Sequence, residues 1–273
     1  MRALLLAAGL GTRLQPLTNY LPKCLVPIHG RPLLDYWLDN LLNNGVEEVL
    51  INTHYMAPVV QQYLDESSWA THVKTVYEDS LLGTGGTILK NREFLEGEAF
   101  LVAHADNLTI FDVQSFFAQH STRPSHADLT MMVFKSQDPR SCGVVSLDAN
   151  GIVQGFYEKV AEPPGNLANA AVYIFEPTVV ERIASFDKAG VDISNDVIPS
   201  FIGQIFSWHN ELYHRDIGTL ESWIESNLDF PSMPASPINK RAWHKILENN
   251  QGQLSTVIEK LLMGGSKTEN YLS

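Results

Sequence analysis

Apolar runs recur through the first part of the chain, at Ala3–Ala8, Val49–Asn52, Val73–Tyr77 and Phe100–Ala103. Short runs of this kind, without polar alternation, suit strands covered on both faces, as in a parallel sheet. Between them, Leu33, Trp37, Leu38, Leu41 and Leu42 recur at helical spacing and stop near Asn44-Gly45, a C-cap pair. Val59, Val60, Tyr63 and Leu64 mark a shorter helix. Strand and helix alternate, which predicts an α/β fold: an open, mostly parallel, Rossmann-like sheet with helices on both faces.

After Leu129–Phe134 the pattern changes to short strands with turn signals. Gly143–Leu147, the turn Asp148-Ala149-Asn150-Gly151, Ile152–Tyr157 and Ala170–Phe175 suggest antiparallel additions to the sheet. The run Phe-Pro-Ser-Met-Pro-Ala-Ser-Pro from Phe230 to Pro237 cannot continue a helix and reads as a linker. Beyond it, Trp243, Ile246 and Leu247, then Leu254, Val257, Ile258, Leu261 and Leu262, predict two short amphipathic helices before a polar tail. Such helices could pack on their own chain or form a homodimer contact, and an apolar stripe of this kind is more often intramolecular packing. The expected organisation is a main domain over 1–229, divided into halves 1–110 and 111–229, a linker over 230–239 and a helical tail over 240–273.

Composition narrows the class. The chain of 273 residues is 44% hydrophobic and so able to bury a sizeable core. A formal net charge of -12 argues against nucleic acid or an anionic membrane as partner, since both are usually met by a basic surface. Positive charge is concentrated at the start, where Arg2, Arg13, Lys23 and Arg31 all precede the first acidic residue, Asp35. Cys24 and Cys142 fit no zinc or disulfide spacing and read as reduced thiols of a cytoplasmic protein. The opening Met-Arg and its apolar run lead into Gly-Thr-Arg instead of a small-residue cleavage site, and make a better buried strand than a leader. No other stretch approaches the roughly 20 apolar residues of a membrane span.

The first predicted strand runs into Gly9-Leu10-Gly11-Thr12-Arg13, followed by Pro16, Pro22 and Lys23. Glycines let a backbone approach a phosphate closely, and a structural turn explains a glycine pair at least as often. A dinucleotide fingerprint needs a third glycine where Leu14 stands, and a Walker loop needs the absent Gly-Lys-Ser/Thr. What sets this loop apart is Arg13, a rigid fork for phosphate, and Lys23, a movable point charge. His54, His72, His209 and His214 show no metal-ligand spacing, and no Ser-His-Asp or Cys-His arrangement can be assembled.

Gly9-Leu10-Gly11-Thr12-Arg13-Leu14, Pro16-Leu17-Thr18, Pro22-Lys23 and the continuation Leu25-Val26-Pro27 and Gly30-Arg31-Pro32 together resemble the signature of the sugar-1-phosphate nucleotidyltransferases. The resemblance runs to about residue 229 and is closest to the mannose-1-phosphate guanylyltransferases. It implies that Leu6, Ala8, Gly9, Gly11, Thr12 and Arg13 bind nucleotide, with Arg13 and Lys23 catalytic, and that Leu82-Gly83-Thr84-Gly85-Gly86 closes over the base. Asp106, at the end of a predicted strand, and Asp216, in Arg215-Asp216-Ile217-Gly218-Thr219, resemble the two aspartates that hold Mg²⁺. Glu158-Lys159 and Asn169-x-x-x-Tyr173 resemble the motifs that hold sugar and sugar phosphate, with Val160 in place of a proline and Ala171 in place of a glycine. His104-Ala105 stands where the family has Asn-Gly.

The chemistry so implied joins a nucleoside triphosphate to a sugar-1-phosphate and releases pyrophosphate. A sugar phosphate is already an anionic nucleophile at neutral pH, so the obstacle is repulsion between substrates. Two unit charges at about 4 Å repel by about 1 kcal/mol in water and about 4 kcal/mol at an effective dielectric of about 20. Cationic side chains and Mg²⁺ would offset that cost while holding the reactants in line. Two rival readings keep the fold and change the function: a catalytically silent homologue that binds nucleotide sugar, and a transferase acting on a non-sugar phosphate such as phosphocholine.

Overall fold

The computed structural model describes residues 1–250 and 252–268. Its strands are β1 (Arg2–Leu6), β2 (Pro27–Ile28), β3 (Arg31–Pro32), β4 (Glu48–Thr53), β5 (Val73–Tyr77), β6 (Phe100–His104), β7 (Asn107–Ile110), β8 (Leu129–Lys135), β9 (Gly143–Leu147), β10 (Val153–Glu158), β11 (Leu167–Phe175), β12 (Ile205–His209) and β13 (Tyr213–Asp216). Its helices are α1 (Leu33–Leu42), α2 (Ala57–Glu66), α3 (Thr84–Lys90), α4 (Arg92–Leu95), α5 (Val113–Ser121), α6 (Pro177–Ala184), α7 (Ile198–Ser200), α8 (Leu220–Asp229), α9 (Pro237–Asn249) and α10 (Gln253–Thr268). A single π-helical turn, Ile193–Val197, precedes α7.

β1 lies parallel between β4 and β6, and β5 extends the parallel set beyond β4. This explains the apolar runs. Ala3 and Leu5 enter one apolar layer, with Trp37 of α1, Val60 of α2 and Phe116 of α5, while Leu4 and Leu6 enter another with Ile88 of α3 and Ile183 of α6. Alternate side chains of one strand thus serve two cores. The second half adds β11 antiparallel to β6 and β8 antiparallel to β11, with the hairpin β9–β10 attached where Ala168 faces Val144. β12 differs from the expected antiparallel additions: it runs parallel to β8.

The first strand ends at Leu6 instead of Ala8, because the Ala7 N–H donates to the Asn52 side chain (2.8 Å) and so leaves the ladder. The expected linker over 230–239 is also shorter. Pro237 opens α9, at a position where a missing N–H costs nothing, and Ser236 caps it by accepting from the Asn239 N–H (3.1 Å).

α9 and α10 pack on their own chain. Trp243 is buried and meets the Tyr63 ring of α2 edge-on, with centroids 6.5 Å apart, and Ala242, Ile246 and Leu254 join the same core as β1. Residue 251 and the end of the expected tail, 269–273, lie outside the described residues. Cys24 is buried, and that burial pushes its thiol up to about 12, which fits a packing role. Among the described residues no helix is long and apolar enough to cross a membrane. Trp243→Ala should cost about 3–5 kcal/mol, the usual range for truncating a buried aromatic. Urea denaturation should show this as one shifted transition of the whole domain, and an unchanged midpoint would separate α9 from the core.

Candidate active site

The carboxyl ends of β1, β4, β5 and β6 lie at one edge of the sheet, the edge at which open α/β sheets take ligands. β1 leads there into an exposed loop comprising Gly9, Leu10, Thr12 and Arg13, with Leu6 and Ala8 buried beneath it. Gly11 has a φ of +63°, and a Cβ there would stand 2.9 Å from Thr18 Cγ2 and 3.1 Å from Lys23 Cβ. Only glycine fits. The loop is therefore seated directly on the stem of Lys23.

Lys23 is nearly buried, and its ammonium donates to Asp106 Oδ2 at 2.6 Å and stands 3.7 Å from Asp216 Oδ1. Asp106 occupies the turn between β6 and β7. Asp216 arrives from over a hundred residues away because β13 pairs antiparallel with β7, setting Asp216 opposite Asn107, and the Ile217 N–H donates to the Asp106 carbonyl at 3.1 Å. Arg13 joins from the other side. A Cβ built on Gly218 would be 2.8 Å from Asp216 Oδ2 and 3.3 Å from Arg13 Nη2, so that glycine leaves room for both groups.

The two carboxylates are tuned in opposite senses. Burial disfavours the charged form of Asp106, but the Lys23 ammonium, with His104 and hydrogen bonds, outweighs it and holds its pKa below the ordinary value. For Asp216 the desolvation prevails, helped by the Asp106 charge and opposed by Lys23 and Arg13, and its pKa lies above the ordinary value. Two hard oxygen donors on facing segments fit Mg²⁺, which takes one or two carboxylates and completes its shell with water and phosphate oxygens. Among the described residues no group of three or more His, Cys, Asp or Glu converges on a metal position.

Of the four early cations, only Arg13 and Lys23 face this cluster. The expected positive island is dispersed by the fold: Arg2 sits at the amino end of β1, bonded to the Phe94 and Glu96 carbonyls, and Arg31 is buried against Asp35 (2.7 Å) and Asp39 (3.0 Å). Adjacency in sequence does not survive strand geometry, which sends the two ends of β1 to opposite edges of the sheet.

Gly83, Thr84, Gly85 and Gly86 form the amino end of α3 and dock on the segment before the π-helical turn. The Gly85 and Gly86 N–H groups donate to the Val191 carbonyl at 2.8 and 3.3 Å. In the second half, 111–229, Lys159 pairs with Glu158 at 3.4 Å, and its φ of +51° is one of two left-handed non-glycine backbones there. The other is Ala171, at +53°, whose N–H donates to Asn169 Oδ1 at 2.9 Å. Asn169 Nδ2 donates in turn to the Tyr173 hydroxyl at 2.7 Å, and Tyr173 is fully buried. Asn169 is thus the more accessible of that pair, with Tyr173 beneath it.

Sequence reasoning missed the buried polar cluster under the nucleotide side. Asn52, at the end of β4, accepts from Ala7 and donates to Glu78 Oε1 (3.0 Å), and the Thr87 hydroxyl of α3 donates to that same oxygen (2.6 Å). All three residues are buried. Glu78 follows β5 at the sheet's carboxyl edge, five positions before Gly83, so the positional rule applied to Asp106 would have found it.

The chain matches the Nucleotidyl transferase family over residues 2–232. It belongs to that family. It is 32% identical over 232 residues, 83% of this chain, to a mannose-1-phosphate guanylyltransferase of Mycobacterium tuberculosis, and covers 64% of that protein. It is 28% identical over 262 residues, 87% of this chain, to a glucose-1-phosphate adenylyltransferase of Thermotoga maritima, covering 62% of it. The chain therefore spans a little under two thirds of these curated relatives. Among solved structures, HddC from Yersinia pseudotuberculosis complexed with GMP-PN is 25% identical with a TM-score of 0.70, over 84% of this chain and 99% of that one. A Bacillus anthracis chain solved with a sucrose shares the fold at a TM-score of 0.77 and 19% identity, over 88% of this chain and 98% of that one.

The Asn52–Glu78–Thr87 cluster yields a direct test. Thr87→Val keeps the side-chain shape and removes the hydroxyl, leaving buried acceptors short of a donor, so it should cost about 1–3 kcal/mol. Urea midpoints would measure it, and a neutral substitution would show that the cluster does not hold α3 to the sheet.

Proposed function

We propose that the chain transfers a nucleoside monophosphate from a nucleoside triphosphate to a sugar-1-phosphate, releasing pyrophosphate, with Mg²⁺ as cofactor. The observation that carries this reading is the Lys23 ammonium held between Asp106 and Asp216, directly under an exposed glycine loop. A cation at that point meets phosphate approaching over the loop, and the carboxylates that hold it in place are free to take a divalent ion.

In this reading the Gly9–Thr12 backbone and Arg13 bind the triphosphate, and Lys23 follows charge developing on the α-phosphate. Asp106 and Asp216 would hold Mg²⁺, which supplies positive charge to the phosphate oxygens. Glu158 and Asn169 orient the sugar, with Tyr173 supporting Asn169, and Lys159 neutralises the incoming phosphate. A phosphate oxygen of the sugar phosphate bonds to the α-phosphorus as the bond from that phosphorus to the bridging oxygen breaks. Both bonding electrons leave with pyrophosphate. No proton needs to be removed from the nucleophile, which accords with a site furnished with cations and carboxylates and lacking a histidine-based triad.

Guanylyl transfer to mannose-1-phosphate, or to a related hexose or heptose phosphate, is the favoured specificity. Support comes from the guanylyltransferase relative at 32% identity and from HddC, solved with a guanine nucleotide analogue. The adenylyltransferase relative at 28% identity makes adenine the base to test beside it.

A matrix of triphosphates against sugar-1-phosphates and phosphocholine with Mg²⁺, scored by pyrophosphate release, tests activity and specificity together. Turnover is expected to be highest with GTP and a hexose-1-phosphate. No pyrophosphate from any pair would favour the silent homologue, and release only with phosphocholine would favour the non-sugar transferase. Lys23→Ala and Asp106→Ala should each lower turnover at least about a hundredfold, the scale of removing a group that stabilises developing charge. Their melting curves should still show a folded chain; near-normal turnover in either would overturn that residue's assignment.

A further inference from the structure

One segment touches both halves of the candidate site. Residues 190–194 run from the loop after α6 into the start of the π-helical turn, within the acceptor half by sequence, yet they carry the glycine loop of the nucleotide half. The fit is close: a Cβ at Gly83 would stand 2.7 Å from the Val191 carbonyl oxygen, and one at Gly85 would stand 2.8 Å from Val191 Cγ1. Thr84 clamps the contact, its hydroxyl donating to Asp192 Oδ2 at 3.1 Å and accepting from the Ile193 N–H at 2.7 Å.

The same segment reaches the acceptor turn from its other side. Asp192 Oδ1 caps the π-helical turn by accepting from the Asn195 N–H at 2.9 Å, and its neighbours Val191 and Ile193 enter the buried apolar core that holds Tyr173, with Ser194 near the Tyr173 hydroxyl. That hydroxyl accepts from Asn169 Nδ2, and Asn169 Oδ1 holds the left-handed turn at Ala171. Asp192 is further held by its own N–H, which donates to Asp196 Oδ2 at 2.7 Å, and Asp196 is paired with Lys188 at 2.6 Å. Hydrogen bonds between Thr84–Gly86 and Val191–Ile193, and the apolar core shared by Val191, Ile193, Tyr173 and Ala171, therefore join Gly83–Gly86 to the turn at Asn169 and Ala171.

We infer that residues 190–194 form a strap that fixes the glycine loop and the acceptor turn relative to each other, with Asp192 and Tyr173 as positioning residues that couple the binding of the two substrates. The inference rests on reading those two loops as nucleotide and acceptor sites. Neither side chain needs to touch a reacting atom. Loosening either end should change both sites, since a buried hydrogen-bonded network has few intermediate arrangements.

Two variants test this. Asp192→Asn keeps an acceptor for the cap and loses the carboxylate oxygen that takes the Thr84 proton; Tyr173→Phe removes only the hydroxyl. Each should raise KM for both the triphosphate and the sugar phosphate by about threefold or more with a smaller change in kcat, and the double variant should fall short of the product of the two. Hydrogen exchange provides a readout independent of turnover. Tyr173→Phe, though distant in sequence, should speed exchange at the Gly85 and Gly86 amides by about three- to tenfold, the scale of one lost net hydrogen bond. The strap is overturned if Tyr173→Phe leaves those amides unchanged, if KM moves for one substrate alone, or if the two effects multiply. An unaltered chain that releases no pyrophosphate would sink the catalytic reading, and exchange at Gly85 and Gly86 would still decide the strap.

Discussion

An ammonium group kept largely from water is costly unless countercharge meets it, and in this fold the countercharge comes from two places far apart in the chain. Lys23 lies under the glycine loop, Asp106 in the turn after β6 and Asp216 at the end of β13. The four-residue ladder between β7 and β13 is what closes the arrangement, because it fixes Asp216 one position from Asp106 across the strands. The main sheet sets the other two. β1 and β6 are direct neighbours, so the loop that follows one and the turn that follows the other share an edge. Electrostatic need and sheet topology thus converge on a few ångströms at the start of the loop.

The parallel half of the fold was legible because buried strands leave apolar runs, as β1, β4 and β6 do; β5, a part-exposed edge strand carrying Lys74 and Thr75, was visible by Val73, Val76 and Tyr77. β7 and β13 were not. Each is four residues long: Asn107-Leu108-Thr109-Ile110 alternates over too short a span to stand out, Tyr213-His214-Arg215-Asp216 does not alternate, and each depends on a partner a hundred residues off. Asp106 and Asp216 were found through local motifs, while the ladder that unites them was invisible. The same holds for Arg2 and Arg31, whose early position suggested a shared role with Arg13 and Lys23 and whose partners, the Phe94 carbonyl and Asp35, emerge only on folding.

Departures from the family pattern also acquire a physical meaning. Ala171 replaces a glycine yet keeps a left-handed backbone, at a cost of roughly 1–2 kcal/mol for a residue with a Cβ. Its N–H bond to Asn169 and the burial of Tyr173 below hold the turn in that conformation. Strain retained in this way belongs with a surrounding structure that over-determines it.

Asp35 bears on where this fold can be divided. Its fully buried carboxylate accepts from Arg31 and Trp69 and from Asn239 of α9, each at 2.7 Å, and Asn239 in turn accepts from Ser68. The matched family region stops at 232, before that amide is reached. A fragment trimmed to the family boundary would keep every residue of the Lys23 cluster and still forfeit a donor to a charge sealed inside α1. The network around Asp35 thus reaches past the matched region, and a boundary drawn by homology alone would cut through it.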